Sequence, residues 1–141
     1  MTLRSRTLIG FSLTLAMVLG ATVALAKNRP GLVIVPFNAR LYETGYKIFL
    51  MNQDIADALT LAEAAVKAKP TNRLWHRRAA LCADWTEHLD VALREWTWLA
   101  LHTGNAEAFP RAMTIAKAQN ALRVEHALLR YQVKRHLQLE T

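Results

Sequence analysis

The stretch ADALTLAEAAVKAKP, residues 56–70, places alanine at positions 58, 62 and 65 and reaches proline at position 70. Residues three or four apart lie on the same face of a helix. Ala58, Ala62 and Ala65 therefore predict a helix face of small side chains, against which a second helix can pack closely. Pro70 ends the pattern, because proline lacks the backbone N–H that a helix interior needs.

The same pattern recurs 34 residues later, in VALREWTWLALHTG, residues 91–104. Ala58, Leu59, Ala62 and Ala65 have their counterparts in Ala92, Leu93, Trp96 and Leu99. A fixed internal period of this length is typical of helical repeat arrays, in which neighbouring units share one core.

A second helical pattern precedes each copy. NARLYETGYKIFLMN, residues 38–52, begins with Asn38, and RLWHRRAALCADW, residues 73–85, follows Asn72. Asparagine is a preferred N-cap, because its side-chain oxygen accepts a hydrogen bond from the first turn of the helix. We therefore predict an all-α fold of three antiparallel helix pairs over residues 38–139. The predicted breaks lie near 52–54, 70–72, 86–88, 103–107 and 119–121.

The N-terminal segment, residues 1–26, has the pattern of an export signal. A basic start precedes TLIGFSLTLAMVLGATVALA, residues 7–26, which contains no charged residue and ends in the small-x-small sequence of a cleavage site. Twenty uncharged residues also suffice to cross a bilayer as a helix. Both a cleaved signal peptide and an uncleaved anchor helix stay open. In both cases we expect an exported, periplasmic protein with an extended linker over 27–37. An uncleaved anchor would also hold the protein to the inner membrane.

Charge and cysteine content narrow the range of partners. The net charge of +7 includes no run of five basic residues, and acidic residues are interspersed. This is typical of a solvated surface, and we expect no nucleic-acid partner.

The single cysteine, Cys82, leaves either a buried thiol or an intermolecular disulfide, and its apolar neighbours Leu81 and Ala83 favour burial.

Motifs of catalytic or metal-binding chemistry are not found in the sequence. No histidine is paired with another histidine or a cysteine at helical spacing, and HExxH, CxxC, GxSxG and glycine-rich phosphate loops do not occur. We therefore expect a protein without metal, cofactor or enzymatic activity.

The repeated residues resemble the tetratricopeptide repeat (TPR). Ala58, Ala62, Ala65 and Pro70 fall on its late small, aromatic, small and proline positions, and Tyr42 and Phe49 on its early aromatic ones. The second copy departs at Gly104, which replaces the proline. Residues 106–139 are interpreted as a degenerate third pair in which Ala127 and Tyr131 lie one residue out of step.

This resemblance implies that the helix pairs form a short right-handed solenoid, with a groove that binds a peptide or helix of a partner protein. By family position, the groove would be lined by Arg40, Glu43, Lys47, Met51, Arg77, Leu81, Asp84 and Trp85.

A narrower likeness, carried by Trp75, Trp85 and Trp96, is to the repeat region of Pel-type exopolysaccharide export scaffolds. It implies a non-enzymatic, exported interaction scaffold, an accessory of exopolysaccharide secretion. The alternative is a module that contacts polysaccharide through Trp85, Trp98 and basic residues. We expect Trp75 and Trp96 to belong to the core.

The last predicted helix, ALRVEHALLRYQVKRHLQLE, residues 121–140, combines a wide apolar arc with several basic residues. A solvated cap, an interfacial membrane helix and a docking surface are its three interpretations. We expect one side of the arc to pack on the preceding helix. Leu129, Val133 and Leu137 would then contact another chain, either a partner protein or a second copy.

Overall fold

The structure is a computed structural model that describes residues 34–139. The predicted signal or anchor and most of the predicted linker lie outside the described residues. Within them the chain forms six helices and no strand, which confirms the all-α prediction, and the breaks fall where they were predicted. The helices are α1 (Ala39–Met51), α2 (Ile55–Ala68), α3 (Arg73–Trp85), α4 (Leu89–Thr103), α5 (Ala108–Ala118) and α6 (Leu122–Leu139). None of these helices is long and apolar enough to cross a membrane.

Both predicted asparagine caps are formed. The Asn38 side chain accepts a hydrogen bond from the Leu41 N–H (3.0 Å), and Asn72 accepts from the N–H groups of Leu74 (3.0 Å) and Trp75 (3.4 Å). These bonds satisfy backbone donors that have no partner inside the helix, so they fix where α1 and α3 begin.

The turns inside the three pairs α1–α2, α3–α4 and α5–α6 share one geometry. The middle residue of each turn, Gln53, Glu87 or Asn120, is in the left-handed region, with φ of 62°, 60° and 54°. In the first turn the Asp54 N–H donates to the Phe49 carbonyl over 2.9 Å, and the equivalent bonds in the other two are 2.9 and 2.8 Å. This is the Schellman arrangement of a helix C-terminus. The three pairs are therefore built on the same turn.

The core contains the residues of the 34-residue pattern. Ala58, Ala62 and Ala65 on α2 are fully buried, and their counterparts Ala92, Trp96 and Leu99 on α4 are also buried. Each helix packs against the next one along the chain, and α4 also contacts α6. The small face of α2 thus permits the close helix packing that its spacing predicts.

Aromatic rings join α1 to α3. The Trp75 ring meets Tyr42 and Tyr46 edge-on, with centroids 6.1 and 5.8 Å apart. Residues 34–38 form neither helix nor strand, but they are attached to α1. The Tyr42 hydroxyl donates to the Val35 carbonyl (2.7 Å), and the Phe37 ring lies against Tyr42.

The register predicted for the third pair is wrong. Ala127 is exposed, whereas Leu128 is fully buried, with Val124 and Tyr131 half-buried beside it. Val124, Leu128 and Tyr131 repeat the spacing of the buried residues on α4, but two residues earlier than a period of 34 requires. The position of the preceding turn accounts for one of these two residues. Helix α5 ends at Ala118, one residue before the counterpart of Trp85 at the end of α3, so the turn and the buried face after it lie one residue closer to the N-terminus.

Candidate partner-binding surfaces

The eight predicted groove residues lie on α1 and α3, the first helices of the first two pairs. Two of them, Met51 and Trp85, end their helices at equivalent positions and are 83% and 60% exposed. They are the large apolar side chains of this set that solvent or a partner can reach, since Leu81 is half-buried.

Glu43 is bound within the fold. Its carboxylate accepts two hydrogen bonds from the Arg78 guanidinium, at 2.6 and 2.9 Å, and lies 3.2 Å from the Lys47 ammonium. The bonds from Arg78 are the main reason why the pKa of Glu43 is lowered from its ordinary value of 4.5 to about 2. This carboxylate therefore holds α1 against α3.

Asp84 is also engaged, and only 7% of its side chain is exposed. It accepts hydrogen bonds from the Trp96 indole N–H (2.8 Å) and from Arg111 Nε–H (2.9 Å). Arg77 forms a longer, half-exposed ion pair with Glu107 at 3.3 Å. These contacts connect α3 to α4 and to the beginning of α5, so part of the predicted groove is used to hold the pairs together.

The remaining predicted residues differ in exposure. Arg40 and Lys47 are exposed and Leu81 is half-buried. Among these eight residues, the described part of the chain forms one ion pair, between Lys47 and Glu43. The available part of this face is therefore apolar at Met51 and Trp85 and basic elsewhere.

Sequence reasoning missed two arginines, Arg78 and Arg111, that bind predicted groove residues. Arg111 lies 34 residues after Arg77, so the repeat period could have identified it. No comparable signal marks Arg78, which lies one residue beyond a groove position and inserts between α1 and α3.

Trp98 lies in a cluster with two histidines. Its ring stacks on His76 (centroids 3.6 Å apart) and on His102 (4.8 Å). His76 is buried, with Nε2–H donating to the Pro70 carbonyl (2.8 Å) and Nδ1 hydrogen-bonded to the buried carboxylate of Glu95. Trp98 is thus stacked against two imidazole rings, whereas the Trp85 side chain is exposed.

Cys82 is buried as a free thiol, which confirms the favoured interpretation of the sequence. It lies 3.4 Å from the Tyr46 hydroxyl, and burial raises the pKa of the thiol. A neutral thiol inside the core is a poor nucleophile.

The second predicted surface is on α6. Leu129, Val133 and Leu137 are 47%, 59% and 61% exposed, while Leu128 faces the core. Helix α6 packs on α5 as expected. The contact of the three exposed residues with another chain stays a prediction.

Residues 34–139 contain no group of three or more His, Cys, Asp or Glu side chains placed to hold a metal ion. Comparison of the chain with protein-family models, with curated proteins and with solved structures finds no match. The likeness to TPR proteins therefore rests on the residues and helix pairs of this chain alone.

Proposed function

We propose that this protein is a non-enzymatic, exported scaffold for protein–protein interaction, built from TPR-like helix pairs stacked as a short right-handed solenoid. The observation that carries the proposal is the equivalence of Met51 and Trp85, two exposed apolar side chains at the same place in successive units. Three pairs with one turn geometry support the repeat, since a solenoid is a stack of such units.

The charges on the same face support binding of a peptide or helix. Glu43 and Asp84 are occupied by Arg78 and Arg111, so they do not oppose an incoming chain. Exposed apolar anchors next to available polar groups are the usual composition of a peptide-binding surface.

Periplasmic location and a role as an accessory of exopolysaccharide secretion belong to the proposal as well. They are supported by the signal-like N-terminal sequence and by the likeness to Pel-type scaffolds. A reporter that is active only in the periplasm, fused after residue 141, tests the location. Activity confined to a cytoplasmic reporter would reject it.

The groove is tested with a photo-crosslinking amino acid placed at position 51 or 85 in the full chain in cells. Thr60, an exposed residue on α2, is the matched control position. We expect protein adducts from positions 51 and 85 but not from position 60, and we expect Trp85→Ala to reduce the adduct formed at position 51. Equal adducts at all three positions, or none, would contradict the groove.

Polysaccharide contact is the alternative, and the exposed indole of Trp85 is the observation that favours it, because aromatic faces stack on sugar rings. The absence of protein adducts, combined with retention on immobilised exopolysaccharide that is lost in Trp85→Ala, would replace the interaction scaffold with this alternative.

A further inference from the structure

Helix α6 carries an apolar stripe on its exposed side. At about 100° per residue, Leu122, Leu129, Val133 and Leu137 fall within about 80° of one another around the helix axis. Leu122 is 58% exposed, comparable to the other three. We call these four residues the α6 stripe.

A basic row follows one border of the α6 stripe. Arg123, Arg130 and Lys134 each come directly after a stripe residue, so they share one side of it, and all three are exposed. No described carboxylate pairs with any of them, in contrast to Arg77, Arg78, Arg94 and Arg111. The other border contains Glu125, Gln132 and His136.

We propose that the α6 stripe and its basic row bind an amphipathic helix of a partner protein, one that carries acidic residues along one border of its own apolar face. Helix pairs of this kind bury apolar seams, and oppositely charged flanking residues set partner and orientation. The inference rests on the proposed role in binding proteins, but it uses α6 and not the groove.

Charge argues against a second copy as the occupant. Antiparallel pairing of two α6 helices about a two-fold axis would place both basic rows on the same side of the interface. Parallel pairing would place each basic row opposite Glu125, Gln132 and His136, which supply one carboxylate for three cations. Like charges at such flanking positions disfavour a pair, whereas an acidic partner neutralises the whole row.

The distribution of residues also favours a protein helix over a lipid surface. A helix that lies in a membrane interface has cations on the polar face and Trp, Phe or Leu on a broad apolar face. Here three of the four cations of α6 follow one border, and the fourth, Arg135, lies near Gly104. The exposed apolar surface is narrow and without aromatic residues, and the exposed His126 lies within it.

The test uses the full chain and two synthetic helical peptides with the same leucine stripe, one bordered by glutamates and one by lysines. Binding is measured by fluorescence anisotropy. We expect saturable binding of the glutamate peptide, weakened by salt. Arg130→Glu combined with Lys134→Glu should lower that affinity by about tenfold or more and transfer preference to the lysine peptide.

Lys67→Glu combined with Lys117→Glu is the matched control, because these exposed lysines lie outside the row and carry the same change in charge. It should leave binding nearly unchanged. Leu129→Ser with Val133→Ser should abolish binding of either peptide, while circular dichroism verifies that the helices persist.

Three results would overturn the inference. The first is equal affinity for the two peptides, or no exchange of preference in the charge-reversed variant. The second is dimerisation of the wild type that Leu129→Ser with Val133→Ser removes, which makes a second copy the occupant. The third is stripe-dependent sedimentation with anionic phospholipid vesicles without peptide binding. None of these removes adducts at positions 51 and 85, so failure of the inference is distinguishable from failure of the proposed function.

Discussion

Arg78 and Glu43 form a bidentate ion pair between α3 and α1, and the Arg78 guanidinium also lies 4.6 and 4.5 Å from the ring centres of Tyr46 and Trp75. One side chain thus combines two charge-assisted hydrogen bonds with two cation–π contacts. Successive pairs are held together by this contact as well as by apolar packing.

Arg78→Lys should lower the free energy of unfolding by about 1–2 kcal/mol, because an ammonium group cannot form both parallel hydrogen bonds and stack on the rings. The neighbouring substitution Arg77→Lys is the control. It alters a half-exposed pair with Glu107 and should change stability by less than about 0.5 kcal/mol. Urea denaturation measures both, and equal effects would show that the part-buried pair of Arg78 with Glu43 has no special role.

Stability should depend on pH through Glu43. The folded-state pKa, about 2, is lower than the ordinary value of 4.5, because Arg78 hydrogen-bonds the charged form. The resulting stabilisation is complete above the ordinary pKa and is lost as pH falls from about 4.5 toward about 2. Glu43→Gln should remove this part of the pH dependence of the melting temperature. A constant difference between wild type and variant across this range would contradict the assignment.

Trp96 should be the most costly of the tryptophans to remove. It is buried and donates its indole N–H to Asp84. Trp96→Ala should cost about 3–5 kcal/mol, and Trp96→Phe, which keeps a ring but loses the donor, about 1–2 kcal/mol. Trp85→Ala, at an exposed site, should change stability by less than about 0.5 kcal/mol. Chemical denaturation gives the order, and a Trp85→Ala cost as large as that of Trp96→Ala would be inconsistent with this core.

The fold was predictable because its determinants are short-range. Alanine spacing on α2, the copy on α4, and the caps Asn38 and Asn72 are all visible within single helices. The register of α6 was not, because it depends in part on where α5 ends, which no residue in α6 encodes.

The exposure of two predicted groove residues could be predicted from the sequence, whereas the pairing of two others within the fold could not. Family spacing placed Met51 and Trp85 on exposed helix ends. Spacing could not show that Glu43 pairs with Arg78 and Asp84 with Arg111, because the partners lie 35 and 27 positions apart in sequence. The charge left available on such a surface depends on three-dimensional pairing, which spacing alone does not encode.

Glu87 and Gly104 both have a left-handed backbone conformation, and substitutions at these two positions should change the stability of the protein in opposite directions. Glu87 has φ of 60° although it is not glycine. Because this conformation costs roughly 1–2 kcal/mol for other residues, Glu87→Gly should stabilise the protein modestly after the entropy of glycine is subtracted. Gly104→Ala should destabilise by about 1–2 kcal/mol. Its φ is 64°, and the added Cβ would lie 3.3 Å from an Arg135 nitrogen. Thermal melts measure both, and shifts of the same sign would contradict the turn geometry.

The Cys82 thiol should be protected until the protein unfolds. It is buried between α1 and α3 against the Tyr46 hydroxyl, and burial raises its pKa, so little reactive thiolate forms at neutral pH. An aromatic disulfide reagent should therefore label native protein slowly and urea-unfolded protein completely. Lys117→Cys, which adds an exposed thiol on α5, should react rapidly in the folded state and provides the matched control.

On a non-reducing gel, oxidised wild type should stay monomeric, whereas the Lys117→Cys variant should form disulfide-linked dimers. Rapid stoichiometric labelling of native wild type, or a Cys82-linked dimer, would show that this part of the core opens under native conditions.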